Sequence, residues 1–309
     1  MRMHLLGVRG STPACGPAFV RYGGHTSCVA LAAGTAAPSL VLDAGTGLRT
    51  LATLLGDAPF RGTILLTHLH WDHTQGLPFT PSLDRPDAEV DLRLPGRGPL
   101  GASALLGRAM SPPNFPIRIA DLRGRWRTGV LRPGTRHFGP FTVTAAVIPH
   151  KGGRTFGYRV SGDGGTIAYM PDHALAGRPS RAAVMLADGV DVLVHDASNG
   201  VGDRGAATSF GHSTVDDAIA FARAARVGRL VLSHHGPTRT DDDLDALAAQ
   251  VETLPTGADG AGPAVLVGRE GAVLHVGGPA ARHGRGVSRI PGVRSTFVVP
   301  LIGANRFPA

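Results

Sequence analysis

The fold of this chain is decided by one short run of sequence, Thr67-His68-Leu69-His70-Trp71-Asp72-His73. The run continues an apolar stretch, 62–68, that is typical of a buried strand. Three imidazoles and one carboxylate placed so closely are costly to bury unless something binds them. Imidazole nitrogens and carboxylate oxygens suit a divalent cation such as zinc. We therefore predict a metal site at the end of this strand.

The four polar side chains of the run are too many for a single cation to use comfortably. His68 and His70 leave the strand end together on one side. Asp72 and His73 begin a turn or helix and approach from another direction. Two neighbouring cations can use all four groups, so the sequence predicts a two-metal site.

Three further candidate ligands stand directly after other β-like runs. His150 follows 142–149, Asp172 follows 166–171, and His234 ends the run 230–233. We assign the ligands to two groups with Asp172 as the bridge: His68, His70 and His150 on one metal, and Asp72, His73 and His234 on the other. A bridging carboxylate offsets the repulsion between cations roughly 3.5–4 Å apart. The expected metals are two divalent ions, Zn²⁺ in the first place, with Mn²⁺ or Fe²⁺ as alternatives.

Short β-like runs alternate with amphipathic helical stretches through most of the chain, which indicates an α/β layered architecture. Strands are predicted at 39–43, 62–68, 192–195 and 230–233, and a helix over 48–55 that Gly56 ends. Ser213 with Asp216, and Thr240 with Asp243, predict two helix starts. We interpret 78–140, which is rich in Pro, Gly and Arg, as an insertion of long loops with one helix at about 101–110. The residues 277–309 are interpreted as a loosely attached, basic, Gly- and Pro-rich tail.

Composition limits the class of protein without identifying it. The chain has 309 residues, 42% of them hydrophobic and 17% charged, as in ordinary globular enzymes. No apolar run approaches the roughly 18 residues needed to cross a bilayer, and the N-terminus lacks the apolar core of a signal peptide. We therefore expect a cytoplasmic protein without a membrane partner. The net charge of +8 favours anionic ligands but does not separate RNA from a small phosphoester.

Together the HxHxDH run, the later His150, Asp172 and His234 resemble the metallo-β-lactamase superfamily over about residues 1–276. The resemblance implies an αββα sandwich, in which two mixed β-sheets are flanked by helices and the metals lie at one edge. Asp43 matches the early aspartate of the superfamily, which supports the metal-binding loop without binding metal. We also expect Asp196, at another strand end, to play a supporting role, and His235 to point away from the metals.

The C-terminal half is most similar to ribonuclease Z and its phosphodiesterase relatives. This resemblance is carried by Gly211-His212-Ser213-Thr214 and by Leu232-Ser233-His234. It implies that His212 stabilises or protonates the reacting phosphate. The position of His212 supports this role apart from the resemblance. It comes just before a predicted helix, and the first backbone amides of a helix attract negative charge.

Two departures from ribonuclease Z affect the expected substrate. Only 21 residues separate His150 from Asp172, which leaves no room for a long tRNA-binding arm. The opening run, Gly7-Val8-Arg9-Gly10-Ser11-Thr12-Pro13, instead resembles bacterial hydrolases of the superfamily whose substrates are mostly unassigned. The expected substrate is thus a cyclic nucleotide, another small phosphodiester or an RNA end. A homodimer is left open.

The predicted activity is two-metal hydrolysis of a phosphodiester. Asp72 is expected to orient the attacking water or accept its proton, and His212 to act on the phosphate. One alternative keeps the fold and hydrolyses a thioester, lactone or amide. Another is an iron-dependent oxidoreductase, which is disfavoured because the flavin–diiron branch usually has Glu where this chain has His70. A non-catalytic binding protein is disfavoured by the complete ligand set.

Overall fold

Two β-sheets stacked face to face form the centre of the molecule. The computed structural model describes residues 1–96, 100–175, 177–256 and 262–277, and the strand Val287–Arg289. Within these ranges the first sheet has eight strands, in spatial order β15 (Val287–Arg289), β14 (Ala272–His275), β1 (Arg2–Gly7), β2 (Cys28–Ala32), β3 (Leu40–Leu42), β4 (Arg61–Leu65), β5 (Glu89–Pro95) and β6 (Arg125–Leu131). The second has seven, in the order β13 (Ala264–Val267), β12 (Arg229–Ser233), β11 (Val192–Asp196), β10 (Gly165–Met170), β9 (Thr155–Gly162), β8 (Phe141–Ile148) and β7 (Gly134–Phe138).

Both sheets are mixed. Strands β3 to β6 run parallel to one another, whereas β14 pairs with β1, β1 with β2, and β2 with β3 in antiparallel fashion. In the second sheet β10 to β13 are parallel and β7 to β10 are antiparallel. The apolar side chains that the two sheets turn towards each other, such as Leu5, Leu31, Phe156 and Tyr158, make one buried core between them.

Helices cover the outer face of each sheet. The α-helices in the described ranges are α1 (Leu51–Leu55), α2 (Ala102–Gly107), α3 (Arg181–Ala187), α4 (Arg204–Phe210), α5 (Val215–Ala224) and α6 (Asp241–Glu252). Leu51 of α1 and Leu106 of α2 belong to the core on the first sheet. Leu186, Phe221 and Leu244, from α3, α5 and α6, belong to the core on the second. The predicted αββα sandwich is thereby confirmed.

Most predicted elements appear within one or two residues of their expected bounds. The helix predicted over 48–55 is a short 3-10 helix, Thr46–Thr50, continued by α1, and it ends at Gly56 with a φ of 58°. Thr240 with Asp243 forms the predicted capping box. The other predicted cap was wrong by one residue: Thr214 caps α5 and accepts from the amide of Asp217.

The stretch 78–140 contains more regular structure than expected. The predicted helix is present as α2, but β5, β6 and β7 also lie in this stretch and hydrogen-bond into the two sheets. The interpretation of this stretch as loops with one helix was therefore wrong, because it also contains three strands. Val90, Leu92 and Leu94 of β5 alternate with charged residues, which is a strand pattern, but the many Pro and Gly residues of the stretch outweighed it in the interpretation.

The domain boundary predicted at residue 276 stays a prediction. Most of the predicted tail, 277–309, lies outside the described residues; within it, β15 pairs with β14. No helix of the described ranges is long and apolar enough to cross a membrane. The cytoplasmic location stays a prediction.

Candidate metal centre and active site

Four strand ends bring the predicted ligands to one edge of the sandwich. In the second sheet, β8, β10 and β12 point in the same direction, because two antiparallel steps separate β8 from β10, and β10, β11 and β12 are parallel. Their last residues lead to His150, Asp172 and His234. From the first sheet, β4 leads into the loop that carries His68. The topology therefore assembles side chains that are up to 166 residues apart in the sequence (234 − 68).

His68, His70 and His150 form the first predicted group. One ring nitrogen of each lies within 4.8 Å of the others. The ring of His68 is 4.2 Å from that of His70 and 5.0 Å from that of His150, centroid to centroid. His150 Nδ1 lies 2.7 Å from the carbonyl oxygen of Gly211, to which it donates, so Nε2 is left with a lone pair facing the group.

Asp72, His73 and His234 form the second predicted group. A short 3-10 helix, Trp71–His73, turns Asp72 and His73 to the same side. Asp72 Oδ2 lies 3.3 Å from His73 Nε2 and 3.1 Å from His234 Nε2. His234 has a φ of 58°, a left-handed conformation at the end of β12 that is uncommon for a residue with a side chain.

Asp172 lies between the two groups and contacts both. Its Oδ2 is 2.9 Å from His73 Nε2. Its Oδ1 is 3.1 Å from His234 Nε2 and 3.6 Å from His150 Nε2. One carboxylate thus contacts histidines of both predicted groups.

Asp43 holds the ligand loop from behind. Its Oδ1 accepts from the backbone amide of Thr67 at 2.7 Å, and its Oδ2 accepts from His73 Nδ1 at 2.8 Å and from the hydroxyl of Tyr169 at 3.0 Å. Because His73 donates from Nδ1, its Nε2 is the nitrogen that faces Asp72 and Asp172. The arrangement matches the supporting role that the resemblance implied.

The N-terminal loop contributes two contacts that sequence reasoning missed. The backbone amide of Ser11, a residue with a φ of 64°, donates to Asp72 Oδ2 at 2.8 Å. At Gly10 an added Cβ would lie 2.2 Å from His234 Nδ1, so only glycine leaves room for that ring. Sequence analysis used this run only for its resemblance to other hydrolases. The two contacts were missed because a backbone donor and a missing Cβ leave no side-chain pattern in the sequence.

His212 stands at the border of the cluster, 11% exposed. Its Nδ1 donates to Asp196 Oδ2 at 2.8 Å, and its ring centroid is 5.1 Å from that of His150 and 5.0 Å from that of His234. Asp196 also accepts from the backbone amide of His173 at 3.1 Å, which fixes its carboxylate. His212 lies two residues before the N-cap of α5, not directly at the helix start as predicted.

Neighbouring histidines lie outside both ligand groups. His235 is buried and its Nε2 donates to the carbonyl oxygen of Gly268, as expected of a side chain that points away. His173 is buried against His195, with 2.9 Å between Nδ1 and Nε2. His25 contacts the hydroxyl of Thr46.

The donors of the cluster fit divalent cations. His68 Nε2 is buried and has no hydrogen-bond partner in the described part of the chain. Burial, and next the charge of His73, holds the pKa of His68 well below its usual range, so that ring is neutral. Nitrogen and carboxylate donors in two adjacent sets suit zinc and similar metals.

Asp72 and Asp172 stabilise positive charge on the histidines beside them. Burial alone would lower the pKa of His73, but Asp72 and Asp172 outweigh it and raise the pKa well above the usual value. Burial is likewise outweighed at His234, whose pKa rises to about 9. Without cations, protons on these two rings compensate the acidic groups, and bound cations would replace the protons.

A cleft of about 400 Å³ opens onto the cluster from solvent. Its walls include ligand residues of both groups, with His212 and Ser11 at the sides. Trp71 stands beside it with 69% of its surface exposed. A small anionic group can therefore reach both ligand sets and His212 at once.

Several known proteins are similar to this chain in sequence. Residues 39–235 match the family described as Beta-lactamase superfamily domain. The ribonuclease Z of Streptococcus suis is 27% identical over 245 residues, which cover 62% of this chain and 76% of that protein. The ribonuclease BN of Escherichia coli is 29% identical over 220 residues, which cover 58% of this chain and 72% of that protein.

Solved structures share the fold at low sequence identity. The metallo-β-lactamase fold protein YhfI from Bacillus subtilis has a TM-score of 0.66 at 18% identity, covering 89% of this chain and 99% of that one. A diphosphatase of the PhnP family has a TM-score of 0.65 at 17% identity, covering 89% and 97%. The short form of human tRNase Z has a TM-score of 0.60 at 21% identity, covering 89% and 99%.

Proposed function

The chain belongs to the β-lactamase superfamily and is a hydrolase of that family, and from this premise we propose that it hydrolyses phosphodiesters with two divalent cations. The proposed substrate is a cyclic nucleotide, another small phosphodiester or an RNA end. The choice of a phosphodiester rests on the position of His212. Asp196 fixes its Nδ1, and its ring lines the cleft beside both ligand groups.

The proposed cation sites follow the two ligand groups. One cation would be held by His68, His70 and His150, the other by Asp72, His73 and His234, with Asp172 between them. When bound, the cations would acidify water and neutralise charge on phosphoryl oxygens. Zinc is the proposed metal because the set is rich in imidazole.

The protein's own groups would orient the reactants and move the proton. Asp72 lines the cleft, and its carboxylate is held by the Ser11 amide, so it is placed to orient the attacking water and accept its proton. His212 presents Nε2 to the cleft, because Nδ1 is engaged by Asp196. From there it would donate to a phosphoryl oxygen or to the leaving oxygen as negative charge develops.

The name ribonuclease Z carried by the matched relatives supports a phosphodiester over a carbon-centred substrate. The Gly211-His212-Ser213-Thr214 element, which is similar to that of ribonuclease Z, also favours a phosphodiester over a thioester or lactone. The proposal therefore depends on His212 acting in the chemical step.

His212→Ala tests the proposal directly. We expect kcat against bis(p-nitrophenyl) phosphate to fall by about 10²- to 10⁴-fold, the usual contribution of a general acid or base. Metal content should stay at the wild-type level, because His212 is not assigned to either cation. His137→Ala is the matched control, since His137 is exposed on β7 away from the cleft. Loss of metal from His212→Ala, or unchanged turnover, would refute the assigned role.

A further inference from the structure

A second cavity, the side pocket, lies directly beside the metal cleft. It has a volume of about 550 Å³, and Trp71 forms a wall of both cavities. The same short segment that carries Asp72 and His73 continues into Thr74 and Gln75, which line the side pocket. If a phosphate occupies the metal cleft, the side pocket is a neighbouring cavity open to the group attached to that phosphate.

Three aromatic side chains, Trp71, Phe79 and Phe115, line the side pocket. Trp71 and Phe79 are 69% and 57% exposed, and Phe115 packs edge-on against Phe79 with 5.7 Å between ring centroids. Met110 is buried at the floor. Exposed aromatic faces around a concave site are typical of surfaces on which a flat ring stacks.

Polar groups at the rim point to the kind of ring. Gln75 and Asn114 carry amides, and Arg108 carries a guanidinium that has no carboxylate partner in the described part of the chain. Asn114 Nδ2 donates to the carbonyl oxygen of Arg108 at 3.2 Å, which leaves its amide oxygen as an acceptor. Amide and guanidinium groups match the donors and acceptors on the edge of a nucleobase, whereas an acyl chain would use none of them.

We propose that the side pocket binds a nucleobase, so that the scissile phosphodiester belongs to a nucleoside. The inference rests on the proposed phosphodiesterase activity and narrows its substrate class. Phe79 and Phe115 are then specificity-determining residues. They lie outside both ligand groups, so they can be changed without altering a metal ligand.

Two cyclic diesters, one with a nucleobase and one without, test the proposal. Adenosine 2′,3′-cyclic phosphate carries a nucleobase, and glycerol 1,2-cyclic phosphate offers a similar strained diester without one. We expect Phe115→Ala to raise KM for the adenosine compound about tenfold, a factor that corresponds to about 1.4 kcal/mol. Loss of one stacking face is of this order. Its kcat, and both constants for the glycerol compound, should stay unchanged.

Two further variants make the comparison specific. Phe115→Tyr keeps the aromatic face and should keep the wild-type KM. Met185→Ala removes an exposed apolar side chain from α3, on the outer face of the other sheet, and should change neither substrate. An equal loss on both substrates in Phe115→Ala would overturn the inference, because the pocket would then only support the fold. A wild-type enzyme that does not prefer the adenosine compound would overturn it as well.

Failure of the proposed function gives a different result. If the metal-loaded wild type hydrolyses neither diester, the phosphodiesterase assignment is wrong, and equilibrium dialysis with adenosine monophosphate then decides on the pocket. Binding that Phe115→Ala weakens about tenfold and Phe115→Tyr keeps would support a nucleobase site by itself. Absence of binding would overturn it.

Discussion

Gly10→Ala tests how closely the N-terminal loop positions the second ligand group. The added Cβ would lie 2.2 Å from His234 Nδ1 and 2.4 Å from its Cε1, whereas an ordinary contact begins near 3.4 Å. The ring must therefore retreat by about 1.2 Å (3.4 − 2.2), or the loop must move with it. Either shift alters the 3.1 Å distances from His234 Nε2 to Asp72 and Asp172.

Such a displacement should weaken one metal site and spare the other. We expect the affinity for the second cation to fall by about 10- to 100-fold, the range seen when the support of a metal ligand is disturbed. The first cation, assigned to His68, His70 and His150, should bind as in the wild type. Metal titration of the chelator-treated protein, followed by calorimetry, separates the two affinities.

Gly205→Ala is the matched control, because an added Cβ on α4 meets nothing within 4 Å. It should leave both affinities unchanged. Two wild-type affinities in Gly10→Ala would refute the reasoning that this loop positions His234. An equal loss at both sites would also refute it, because the two ligand groups would then not be separate.

Two pH-dependent predictions follow from buried histidines. The pKa values of His73 and His234 are raised, the latter to about 9, so both rings hold protons at pH 7.5 without metal and zinc binding should release them. Calorimetric titration in buffers of different ionisation enthalpy measures that release, and its absence would contradict the assigned ligands. Burial lowers the pKa of His4 to about 4 in the folded state. Because the unfolded state therefore takes up a proton first as pH falls, the free energy of unfolding should drop by about 2 kcal/mol between pH 7.5 and 5. Urea unfolding of the metal-free protein measures the free energy of unfolding at both pH values. His4→Leu should lack this loss of stability, whereas the exposed control His137→Leu should keep it. Equal pH dependence in the two variants would contradict the burial argument.

The cluster of histidines and carboxylates could be anticipated because its signal is local. The HxHxDH run, and single polar residues after β8, β10 and β12, stand where strand periodicity ends, and parallel topology then brings such ends together. Asp43 and Asp196 were also found in supporting positions. These residues carry side-chain chemistry that a sequence displays.

Other features depend on contacts that no local pattern encodes. The Ser11 amide on Asp72 joins residues 61 positions apart through a backbone group. The cap of α5 was misplaced because Ser213 and Thr214 are equally good caps in sequence, and Ser213 instead donates to the carbonyl oxygen of His173. Strand β6, with Arg125 and Arg127 among its residues, joins its sheet through parallel pairing with β5 rather than through an apolar pattern.

The central claim is a two-cation centre that hydrolyses a phosphodiester. The most direct measurement is metal content of protein purified without chelator, paired with turnover of bis(p-nitrophenyl) phosphate. We predict about two divalent cations per chain and turnover that His68→Ala abolishes. Fewer than two cations would contradict the two-metal centre, and two cations without diester turnover would contradict the proposed reaction and direct attention to thioesters and lactones.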